Sequence, residues 1–60
     1  MKMDLEGGDS ILIIAPESAS DSLSITIAKD DRSRGMVLLS ANQTAKFISE
    51  LRKAFLQFAE

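Results

Sequence analysis

A chain of 60 residues with 45% apolar content and a net charge of −2 holds at most one small domain and is too apolar to be disordered. It contains no cysteine and no histidine, which excludes disulfides, thiolate chemistry and nearly every zinc site. Nucleic-acid binders usually carry a basic surplus, so the acidic balance leans against that role.

Residues 1–9 read as a flexible, polar N-terminal segment ahead of a single α+β domain over 10–60. The other reading of that segment is a short strand, Met3–Leu5, turned back by Gly7-Gly8 onto the next apolar run. Ile11–Ala15 is the first clear strand, and Pro16 ends it because proline cannot donate to a ladder. Glu17–Asp21 is a small polar connector. Ser22–Lys29 then alternates cleanly, with Leu23, Ile25 and Ile27 on one face and Ser24, Thr26 and Ala28 on the other. Asp30–Gly35 reads as a charged turn in which Gly35 is free to take positive φ, and Met36–Leu39 as the third strand. Short connectors favour an antiparallel meander.

The helix begins at Ser40, whose spacing to Gln43 fits a capping box. At about 100° per residue, Thr44, Phe47, Ile48, Leu51, Ala54, Phe55 and Phe58 share one stripe. The stripe reads as core, packed on one face of the sheet. Lys46, Glu50, Lys53 and Gln57 lie opposite; Ala45, Leu56 and Ala59 widen the apolar arc, and Arg52 lies beside that extension. The expected fold is therefore α+β, a three-stranded antiparallel β-meander followed by one C-terminal amphipathic helix.

Ile11–Ile14 and Met36–Leu39 are apolar at consecutive positions, so they place aliphatic groups on both faces of a sheet. One helix covers one face. Small domains without disulfides or metals usually need a partner chain. The expectation is self-association into a homodimer or higher oligomer, with Leu12, Ile14, Val37, Leu39, Leu56 and Arg52 at the interface.

The inventory for chemistry is poor. Histidine, cysteine, tyrosine and tryptophan are absent, and no serine has a recognisable base at a meaningful spacing. Asp30 and Asp31 are adjacent on an exposed turn and fall short of the six or more oxygens calcium prefers. No enzyme, cofactor or metal is expected. Phe47, Phe55 and Phe58 sit on the helix stripe, so the strands offer no aromatic stacking platform. No apolar run approaches the roughly 18 residues of a membrane span, and Met1–Gly8 has no signal-peptide core. A soluble, cytoplasmic protein is the expectation.

Leu23–Phe55 runs strand, charged turn, Gly35, apolar strand, Leu39-Ser40 and a helix opening with Gln43. In that order it resembles the C-terminal half of the PC4-like single-stranded-DNA-binding domains. The resemblance covers about half the chain. It implies a dimer whose curved sheets hold single-stranded nucleic acid, with Lys29, Arg32 and Arg34 at the matching basic positions. The chain differs from that pattern in its acidic balance, in strands without aromatics, and in lacking a secure fourth strand. The leading reading is thus a non-enzymatic oligomeric interaction module, an accessory or inhibitory protein docking on a larger protein partner. The alternative is a PC4-like homodimeric single-stranded nucleic-acid-binding protein.

Overall fold

The computed structural model describes residues 1–18 and 20–59. It is an α+β fold: a sheet of four antiparallel strands in the order β1-β2-β3-β4, then one helix. The strands are β1 (Lys2–Asp4), β2 (Asp9–Ile14), β3 (Leu23–Lys29) and β4 (Arg32–Leu39); the helix is α1 (Ala41–Phe58). The expected count of three strands is corrected to four. β1 lies inside residues 1–9 and pairs Met3 with Ile11. The turn that returns it is made by Gly7 at φ 77° and Gly8 at φ 84°, a conformation that glycine adopts without steric cost.

The β3–β4 turn also differs from expectation. It shrinks to two residues, Asp30 and Asp31, at φ 51° and 62°, and Lys29 pairs directly with Arg32. Two central residues at positive φ give the turn whose twist matches that of the flanking strands. Gly35 is not in the turn but inside β4, opposite Ile27. The register shifts between Ile27 and Ala28, leaving Arg34 as the extra, bulged residue.

Directly opposed residues of an antiparallel pair share a face. The register therefore sorts the side chains. One face carries Met3, Ile11, Ile13, Leu23, Ile25, Ile27, Val37 and Leu39. The other carries Ser10, Leu12, Ile14, Ser24, Thr26, Ala28, Met36 and Leu38. The first is an aliphatic face; the second has a polar strip along β3 between aliphatic flanks.

Ser40 caps α1 as the sequence suggests. Its hydroxyl accepts from the Gln43 N–H at 3.2 Å, while its own N–H donates to Gln43 Oε1 at 2.9 Å. Thr44 Oγ1 also donates to the Ser40 carbonyl at 2.8 Å. Past this cap, the helix departs from expectation. Ala41 and Thr44 meet Leu23 and Leu39 in a cleft at the edge of the aliphatic face, but no residue of α1 is buried. Leu51 and Phe55, assigned to a core by their spacing, are 57% and 55% exposed. The helix covers neither face of its own sheet. Among the described residues no apolar side chain is buried. A compact 60-residue domain has a radius of gyration of about 10.4 Å, whereas this chain measures 13.0 Å and is a slab of 35 × 32 × 16 Å.

Candidate interaction surface

The strands and the helix present three apolar surfaces and one charged end. On the aliphatic face, Ile25, Ile27 and Val37 line a shallow hollow beside Gly35, where the missing side chain leaves open space. Alternation in β3 and its register with β4 put these residues together. On the opposite face, Leu12 and Ile14 flank the Ser24–Thr26 strip from one side, Met36 and Leu38 from the other. The third surface is the α1 stripe. Ile48, Leu51, Phe55 and Phe58 line an open groove there, with Arg52 at its border. Phe55 and Phe58 stack edge to face, with ring centroids 5.8 Å apart and planes at 87°, the arrangement that aromatic quadrupoles favour.

The residues expected at an interface do not form one patch. Leu12 and Ile14 share a face with Met36 and Leu38, whereas Val37 and Leu39 lie on the face of Ile25 and Leu23. Strand parity separates them: Leu12 opposes Thr26, while Val37 opposes Ile25. Leu39 is half-buried near the helix start, and Val37 is exposed. Arg52 joins the helix groove, and Leu56 is exposed on α1 without being part of that groove's lining. Met36 and Leu38 share the face of Leu12 and Ile14, and Ile48, Leu51, Phe55 and Phe58 line the helix groove beside Arg52. Parity counting along β4 from its pairing with β3 is the signal that finds Met36 and Leu38.

The charged end gathers at the two hairpin turns. Lys29 Nζ lies 3.8 Å from Asp9 Oδ1, and Lys2 Nζ lies 3.6 Å from Asp4 and 3.9 Å from Asp31. These are exposed pairs at long range, each worth at most about 1 kcal/mol. Arg32 and Arg34 have no ion-pair partner among the described residues. The candidate basic trio is thus interleaved with Asp9, Asp30 and Asp31, and Lys29 is already paired. Among the described residues no group of three or more acidic side chains is placed to hold a metal ion. No described helix is long and apolar enough to cross a membrane.

Comparison of the chain with family models, with curated proteins and with solved structures finds no match.

Proposed function

We propose that this protein is a non-enzymatic, self-associating interaction module that docks on a larger protein partner as an accessory or inhibitory subunit. One observation carries the reading: four strands and a capped helix form without burying a single apolar side chain among the described residues. Burying one Leu, Ile or Phe side chain contributes roughly 1.5–3 kcal/mol. A chain that leaves this term unused within itself gains it by association. Equilibrium sedimentation across a hundredfold range of concentration tests the reading. An oligomer is expected, and a folded monomer throughout overturns it.

A second reading is a homodimeric single-stranded nucleic-acid-binding protein. It is favoured by β1, which supplies the fourth strand that the resemblance to PC4-like domains calls for. Opposing it are the carboxylates around Lys29 and the absence of strand aromatics. A salt titration separates the two readings. Phosphate contacts make log affinity fall linearly with log salt, whereas docking through aliphatic surface is far less salt-sensitive. The expected result is no binding of a short single-stranded oligonucleotide at physiological salt. Sub-micromolar binding would replace the first reading by the second. Arg32→Ala with Arg34→Ala should then shrink the salt slope by about one for each phosphate left without its arginine.

A further inference from the structure

We infer that the apolar stripe of α1 and the aliphatic face of the sheet are buried together against a second copy of this chain, in a two-fold dimer. The inference rests on the self-associating reading above and assigns its interface.

Surface area is the first argument. A folded monomer of 6.5 kDa exposes about 3,800 Å² by the scaling of area with mass. This chain exposes 5144 Å², a surplus of about 1,300 Å² over that scaling. Removed from two copies, the surplus amounts to about 2,600 Å², within the roughly 2,000–5,000 Å² of obligate homodimers. The excess is thus close to what one such interface takes up.

The chemistry of the two surfaces is the second argument. Ile48, Leu51, Phe55 and Phe58 on α1 match Ile25, Ile27 and Val37 on the sheet in being apolar. Arg52 is the one charged residue lining the helix groove or the Ile25–Val37 hollow, and Asp9, Lys29 and Arg32 lie on the aliphatic face only at its turn end. Both surfaces belong to one chain, so a two-fold axis satisfies both at once and closes the assembly.

The helix supplies the third argument. α1 has 18 residues and leaves its sheet after the first turn. Most of the stability of a protein helix comes from tertiary packing of its amphipathic face rather than from propensity. Its Ser40–Gln43 cap is fully formed, yet a cap contributes only about 1 kcal/mol. A covering surface on the stripe is what keeps such a helix folded.

The test uses the full chain and its lack of native cysteine. Gln57→Cys, on the polar side of α1 near its end, is labelled with a nitroxide and mixed with unlabelled, isotope-enriched parent. The dimer is measured by sedimentation, and broadening of the parent's amide signals is mapped by NMR. A dimer with broadening along α1 or the Ile25–Val37 face is expected. A dimer with broadening confined to the Leu12–Leu38 face or to the free edge of β4, or with none, overturns this interface while leaving self-association standing. A trimer or larger ring overturns the two-fold arrangement. A folded monomer at every concentration overturns both this inference and the reading on which it rests.

Discussion

Asp30 donates its backbone N–H to the carbonyl of Gly8 at 2.9 Å, and its carboxylate occupies the space that a Cβ on Gly8 would enter. The β1–β2 turn and the β3–β4 turn are thereby tied together at one end of the sheet. Four residues of this end are acidic, Asp4, Asp9, Asp30 and Asp31.

Gly8→Ala should destabilise the chain. A left-handed backbone costs a non-glycine residue about 1–2 kcal/mol, and the clash with Asp30 adds to it. Gly35→Ala is the control, since Gly35 has ordinary φ and nothing near its absent Cβ. It should be neutral or stabilising by about 0.4–1 kcal/mol. Urea midpoints at one fixed chain concentration compare the two. Equal shifts would show that neither the left-handed backbone at Gly8 nor its contact with Asp30 is formed in solution.

Asp31→Gly should stabilise by about 0.5 kcal/mol, because the second central position of this turn favours glycine. Asp31 sits at φ 62°. Its side chain is 94% exposed and touches Lys2 at 3.9 Å, an interaction too weak to offset the gain. A lowered melting temperature would mean that the Lys2 pair outweighs the turn.

Ser40→Ala should cost about 1 kcal/mol through loss of the cap. Gln43→Ala removes the reciprocal bond to the Ser40 N–H and should cost less, as that group can turn to water. Thermal melts followed by helical circular dichroism read both. An unchanged midpoint for Ser40→Ala would place the start of the helix elsewhere.

Leu51→Ala and Phe55→Ala discriminate a lone chain from an assembled one. At exposed positions such truncations change stability by no more than about 0.5 kcal/mol. Buried against a partner they cost about 2–5 kcal/mol. The larger loss is expected, together with a midpoint that rises with chain concentration. A small, concentration-independent shift would leave the stripe facing solvent.

Local patterns were legible where chemistry and geometry coincide. The alternation of Leu23, Ile25 and Ile27 located β3, and Ser40 with Gln43 located the start of α1. β1 was harder to read because Lys2 and Asp4 are poor strand formers; main-chain pairing to β2, made available by Gly7 and Gly8, decides it. The first half of β4 reads as a turn because Arg32, Ser33 and Arg34 are polar and Gly35 is flexible. On an edge strand open to solvent, polarity does not oppose pairing. The helix stripe was found, but its place was not. Amphipathicity shows that a face is to be covered and says nothing of which chain covers it. Among the residues expected at an interface, Leu12 and Val37 look equivalent until the register with β3 fixes their parity.

Ser40 is the single residue between β4 and α1, held at φ −68° and ψ 171°. An 18-residue helix is about 27 Å long. A rotation of about 10° at its base therefore sweeps the Phe58 end through about 5 Å, close to the spacing between neighbouring strands. Ser40 and Gln43 thus set the aim of a lever as well as closing a helix end. Weakening that cap would leave the strand pairing intact and still loosen the aim of the helix at its far tip.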